Sequence, residues 1–243
     1  MSKLLLLGVI LLITGTVARA DAVCPTTATL ANYIALGSCT IPYTTFPPGS
    51  QAPSNYNATL SGFGYTPGSG APPASQITVT LGITVYNFAC PFNDTTTCVE
   101  VAVGFGGFST TTSLSGSLDY SVNSGTGPFY WADLLLSGVV PSGASVAAQA
   151  ALSNGVSLST EIVNLPPPAG VDHPDSGFVW FPGAPLVLSV QDSFTANAGP
   201  SGSPTSFGFT NTFVTPEPAT LILMGWGLVG LLAAARKLHA PRA

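Results

Sequence analysis

Apolar residues recur at every second position through most of the chain. Ile77, Val79, Leu81, Ile83 and Val85 alternate with Thr78, Thr80, Gly82 and Thr84. Val99, Val101, Val103 and Phe105 repeat the pattern against Glu100, Ala102 and Gly104, and Leu114, Leu118, Tyr120 and Val122 against Ser115, Ser117, Asp119 and Ser121. Successive side chains of a strand point to opposite faces, so each run predicts a strand with one face on a core. Further strands are predicted over 58–65, 129–136, 145–152, 156–163, 178–181, 186–190 and 206–214, with Gly, Pro, Asn and Ser as turn material between them. The alanine-rich piece Val146–Leu152 also admits a short helix within 134–152. The Pro-, Ser- and Gly-rich stretch Cys24–Ala74 reads as loops around a single strand. Gly104-Phe105-Gly106-Gly107, inside a strand pattern, marks a bulge or close packing. Pro166-Pro167-Pro168 is a stiff bend and 196–204 a surface loop. Eight to ten short strands with such punctuation predict an all-β ectodomain over 21–214, an antiparallel β-sandwich or jelly roll. A repeat of fixed period, the mark of a solenoid or propeller, is missing.

The two ends have a different grammar. Residues 1–20 read as a cleavable signal peptide: Lys3 gives the positive start, Leu4–Ile13 the apolar centre, and Ala18-Arg19-Ala20 the small residues before cleavage between Ala20 and Asp21. At the other end, Pro216, Glu217 and Pro218 break the pattern. The uncharged run 219–235 then predicts one transmembrane helix, at the short end of what spans a bilayer. Arg236, Lys237 and Arg242 follow in the basic tail 236–243 and stop transfer, with that end inside. The body is thereby placed outside the inner membrane.

The tail as a whole, 215–243, resembles the PEP-CTERM sorting signal of exported Gram-negative proteins. The matching residues are Pro216-Glu217-Pro218-Ala219-Thr220, the glycine-interrupted apolar run Leu221–Leu232, and Arg236-Lys237. Leu238, His239 and Ala240 interrupt what the family usually shows as a denser arginine cluster. The resemblance implies processing near the motif by exosortase, a membrane protease of transpeptidase type. With signal peptidase, exosortase would be a transient partner. The resemblance implies a route from the inner membrane, facing the periplasm, to the cell surface or matrix, with exopolysaccharide as the neighbour there.

Charge narrows the function classes. The five basic residues, Lys3, Arg19, Arg236, Lys237 and Arg242, all lie in the terminal segments, while 21–215 holds nine carboxylates and no Lys or Arg. Such a body cannot neutralise phosphates, which excludes nucleic acid as a partner, and it repels polyanions. Neutral glycans remain compatible. Four cysteines, Cys24, Cys39, Cys90 and Cys98, in an exported chain predict two disulfides. Of the three possible pairings, Cys24–Cys39 with Cys90–Cys98 closes the shortest loops. A zinc site lacks both CxxC spacing and nearby histidines, and no metal or cofactor is expected.

Chemistry has few places to sit. The body has one histidine, His173, and no Gly-x-Ser-x-Gly elbow, Walker loop or dinucleotide fingerprint. Asp172, His173 and Asp175 form the one cluster with ligand or acid–base potential, in a sequence that also reads as a polar turn. Phe129-Tyr130-Trp131 and Phe178-Val179-Trp180-Phe181 are aromatic runs; alternate residues must point into the core, while Trp131 or Trp180 on an open face would suit sugar rings. The resulting expectation is a non-catalytic structural or adhesive surface protein. A carbohydrate-binding surface module is the second reading and a secreted hydrolase the third.

Overall fold

The alternating runs form strands in two stacked sheets. The computed structural model describes residues 22–42, 57–86, 98–125, 127–163, 176–181, 183–200 and 202–216. In chain order the elements are β1 (Ala22–Val23), β2 (Thr27–Thr29), α1 (Leu30–Leu36), β3 (Ser38–Pro42), β4 (Asn57–Pro67), β5 (Thr78–Tyr86), β6 (Cys98–Thr110) and β7 (Ser113–Asn123). They continue with β8 (Trp131–Val139), β9 (Ser145–Leu152), β10 (Ser157–Val163), β11 (Val179–Trp180), β12 (Val187–Asn197) and β13 (Thr205–Pro216). One sheet has the order β1-β3-β4-β7-β12-β9-β10 and the other β11-β8-β13-β6-β5-β2. Every pairing is antiparallel except the short β1–β3 pair. The expected sandwich is therefore present. The signal peptide 1–20, the apolar run 219–235 and the basic tail lie outside the described residues. Among the described residues no helix is long and apolar enough to cross a membrane.

Three local expectations are corrected. Residues 134–152 hold no helix: β8 runs to Val139 and β9 takes up the alanine-rich piece, whose Val146, Ala148, Ala150 and Leu152 point inward. The expected 186–190 strand extends to Asn197, because Asp192, Phe194 and Ala196 continue the inward alternation. Cys24–Ala74 contains two short strands, β2 and β3, and a helix besides β4. Helix α1 passes from the six-stranded to the seven-stranded sheet. Thr29 caps it by accepting from the Asn32 amide at 3.4 Å, and Gly37, at φ +74°, ends it with its N–H on the Tyr33 carbonyl. Its Leu30 and Tyr33 plug the core edge. The Cys24–Cys39 disulfide closes this connection, as expected. Cys98 is disulfide-bonded too; its expected partner, Cys90, lies outside the described residues.

The core is a continuous apolar layer with an aromatic centre. Phe105, Phe108, Phe207 and Phe209 from β6 and β13 meet Phe194 and Tyr120 from β12 and β7, with ring centroids 4.6–6.1 Å apart. Gly116 makes room for this: a Cβ there would lie 2.6 Å from Phe194 Cζ. Two residues of β6, Gly106 and Gly107, stand opposite Gly208 alone, so the glycine run does hold a bulge, with Gly107 at φ +88°. Removing one buried ring, as in Phe209→Ala, costs about 3–5 kcal/mol in such surroundings.

One polar pair interrupts that layer. Asp192 of β12 and Asn211 of β13 are 1% and 0% exposed, and Asn211 Nδ2 donates to Asp192 Oδ1 at 3.0 Å and Oδ2 at 2.8 Å. This bond ties one sheet to the other through the core. Burial raises the Asp192 pKa from 3.8 to about 8; the Asn211 hydrogen bond opposes the rise and the Asp119 charge adds to it. The folded state then binds more protons than the unfolded chain between pH ~4 and ~8, so stability falls as pH rises through that window, by up to about 1.4 kcal/mol per unit, and levels off above it. Urea midpoints measured across pH 4–9 should show this decline, and Asp192→Asn should flatten it. A midpoint that rises with pH in this window would contradict the assignment.

Candidate functional site at the tail junction

Strand β13 both completes the fold and leads to the tail. It pairs with β8 on one side and β6 on the other, in register Val214↔Trp131 and Pro216↔Cys98. The ladder thus runs to the first residue of the Pro216-Glu217-Pro218 triplet, two residues past the expected ectodomain end. Val214 and Thr215 are buried.

At this pole the outer face of the six-stranded sheet carries a second apolar cluster. Strand alternation puts Ala132 and Phe213 on the core side and Trp131, Val214 and Cys98 on the outer side, where Tyr130 and Phe178 pack on them. The two-residue strand β11 pairs Trp180 with Trp131. The Trp180 ring lies 5.1 Å from Trp131, edge to face, and 5.3 Å from Tyr130. Segment 176–181 is pinned through Ser176. Its hydroxyl donates to Asp133 Oδ1 at 2.8 Å and accepts from the Leu134 amide at 2.9 Å, and its own amide donates to the Leu134 carbonyl. Asp133 is thereby a fastening group, 7% exposed.

The two expected tryptophans are brought together but play different parts. Trp131 is buried at 6% exposure, whereas Trp180 is 54% exposed. Phe181, next to Trp180, and Phe129, which precedes β8, fill the core. Asp172, His173 and Asp175 lie outside the described residues, as do Ala20, Asp21, Cys90, Glu217, Pro218, Arg236, Lys237 and Arg242. Among the described residues no group of three or more His, Cys, Asp or Glu is arranged to hold a metal ion.

A further surface was not anticipated. The outer face of the seven-stranded sheet is built mainly from hydroxyls and amides, Ser189, Gln191, Ser193 and Thr195 on β12 beside Gln149 of β9 and Ser159 of β10, with two carboxylates among them, Glu161 of β10 and Asp119 of β7. Gln149 Nε2 donates to Ser157 Oγ at 3.0 Å, Gln191 Nε2 donates to Asp119 Oδ1 at 3.1 Å, and the Ser121 and Ser189 hydroxyls lie 3.2 Å apart. Two shallow depressions sit on this face, one around Gln149, Ser193 and Thr195 and one around Ser121, Ser153 and Ser189. The polar half of each strand's alternation pointed to an outer face, but not to which strands lie side by side.

A β-sandwich whose last strand runs into an apolar tail is the class of protein this geometry defines. Residues 214–237 match the PEP-CTERM protein-sorting motif. The motif marks an exported surface protein sorted by exosortase. No curated protein matches the chain. Two solved structures are similar in part. One is that of TmCBM61 in complex with beta-1,4-galactotriose, at 14% identity over 64% of this chain and 88% of that one, with a TM-score of 0.33. The other is the enzymatically active domain of Bacteriophage CBA120 tailspike protein 4, at 11% identity over 65% of this chain and 19% of that one, with a TM-score of 0.22. Neither likeness carries an argument about ligand or activity.

The junction makes a direct prediction. An ectodomain ending at Pro216 retains all of β13 and should unfold cooperatively in urea. One ending at Pro204 leaves β8 and β6 as open edges and forfeits the central aromatic rings Phe207, Phe209 and Phe213. At about 3–5 kcal/mol per buried ring that loss is comparable to the whole of the usual stability of about 5–15 kcal/mol, so no cooperative transition should be seen by far-UV circular dichroism.

Proposed function

We propose that this chain is a non-catalytic structural or adhesive protein of the cell surface, associated with a neutral exopolysaccharide through the outer face of its seven-stranded sheet. The observation that carries this reading is the wall of Ser, Thr and Gln side chains on β12, β9 and β10, which holds no cation and is bordered by the carboxylates of Glu161 and Asp119. Such groups donate and accept in both directions, as glycan hydroxyls do, and exchange hydrogen bonds with them at little desolvation cost. Each contact is weak, so a polymer meeting many of them at once suits the surface better than a single small ligand. The absence of Lys and Arg from 21–215 sets the preference for neutral over anionic polymers.

The exposed Trp180 favours a second mode, in which the indole stacks on a sugar ring as in a carbohydrate-binding module. Trp131, being packed away, contributes nothing to that mode directly.

Affinity electrophoresis of the ectodomain in gels containing neutral or acidic polysaccharide tests both. Retardation by a neutral polymer, abolished by Gln191→Ala with Ser193→Ala and kept in Trp180→Ala, is the expected result. Retardation lost in Trp180→Ala alone would assign binding to the indole. No retardation by any neutral polymer would remove the polysaccharide from the reading.

A further inference from the structure

The sorting tail leaves the fold with almost no slack. β13 holds its ladder to Pro216, and the apolar run begins at residue 219. Three residues reach at most about 10 Å even when extended. Whatever receives the apolar run therefore lies close beneath the pole of the sandwich from which β13 exits.

That pole is made by two connections lying against the end of β13. The Tyr130 amide donates to the Val214 carbonyl at 2.9 Å, and the Phe181 amide donates to the Tyr130 carbonyl at 2.7 Å. The Phe129 amide donates to the Pro185 carbonyl at 2.8 Å, and the Ser124 amide donates to the Leu186 carbonyl at 3.1 Å. Residues 124–125, 127–131, 180–181 and 185–187 thus form one hydrogen-bonded rim around the exit. On this rim Trp180, Leu186 and Val187 are 54%, 55% and 51% exposed. Trp180 lies on the outer face of the six-stranded sheet and Val187 on that of the seven-stranded sheet, so these half-exposed apolar groups flank the pole on both sides.

We propose that this pole is a membrane-contact surface, with Trp180, Tyr130, Leu186 and Val187 seated in the interfacial layer of the bilayer that holds the apolar tail. The inference rests on insertion of residues 219–235. Its occupant follows from the short span to that run and from the chemistry of the rim. Indole and phenol rings have an apolar body with a polar edge and concentrate at headgroup depth, and neighbouring aliphatic side chains add buried area. Lys and Arg are absent from 21–215, so attraction to anionic lipid plays no part. Contact should persist in high salt and on purely zwitterionic lipid. Because strands run from pole to pole, the sandwich stands on end. The hydroxyl-lined wall then rises from the membrane until the tail is processed.

The test uses the chain without its signal peptide, reconstituted through its tail into phosphatidylcholine vesicles, with Trp226→Phe to silence the tail indole. Flotation with the vesicles reports insertion on its own. The emission lost between Trp226→Phe and Trp226→Phe/Trp180→Phe belongs to Trp180. That emission should be quenched by lipid brominated near the headgroup and should lose most of its quenching by aqueous acrylamide, alike at low and high salt. Leu186→Asp with Val187→Asp should restore acrylamide quenching without changing flotation. Protein that floats while Trp180 stays equally open to acrylamide with and without bilayer overturns the proposal. So does protection that arises only on adding exosortase, which would make the rim a protein contact. Failure to float removes the insertion reading, and the membrane contact with it.

Discussion

Strand β13 is paired along both edges, and the rest of the molecule depends on that pairing. Without it the six-stranded sheet falls into β11-β8 on one side and β6-β5-β2 on the other. It also supplies Phe207, Phe209 and Phe213 to the core and Asn211 to the bond that ties the two sheets. The last strand synthesised is the one that closes the fold, and it continues directly into the sorting motif. Completion of the sheet and delivery of the tail are therefore consecutive events on one stretch of backbone. Long-range strand pairing of this sort is gained late, since the loop entropy must be met before the contacts form.

Cohesion elsewhere follows from the lack of cations in the body. With no Lys or Arg between 21 and 215, the sheets are held by backbone ladders, interdigitated aromatic and aliphatic side chains, and neutral hydrogen bonds. Asp192 shows what that demands of a buried carboxylate. It has an amide as partner where many proteins would place a guanidinium, and burial then favours its protonated form. Tyr120, beside it, is raised for the same reason, first by burial and then by the Asp192 charge.

The same scarcity of charge shapes the surface. One outer face presents hydroxyls and amides; the pole at the tail presents an indole and aliphatic groups. These are two different solvents' preferences, one for hydrated polymer and one for the headgroup layer. They sit on different parts of a body whose orientation is set by where β13 ends.

Period-two alternation made most of the strands legible, since Ile77–Val85, Val99–Phe105 and Leu114–Val122 state in local sequence which face is buried. The tail motif was legible for a similar reason: it acts through its own order of prolines, apolar run and basic residues. Cys24 and Cys39 could be paired because the loop between them is short. Helix α1 was not legible, because seven residues with two inward contacts give too little periodicity. Asp192 stood in the sequence at an inward position, Leu188-x-Val190-x-Asp192-x-Phe194, yet its partner is 19 residues away on the other sheet. The separation of Trp131 from Trp180 in exposure, and the meeting of Gln149, Ser193 and Ser159 on one face, depend on strand order. The sequence by itself determined the strands, their faces and the destination of the tail, because these are encoded by near neighbours. Only the tertiary structure decided which strands adjoin and what surrounds the exit of β13, because those contacts join residues far apart in the chain.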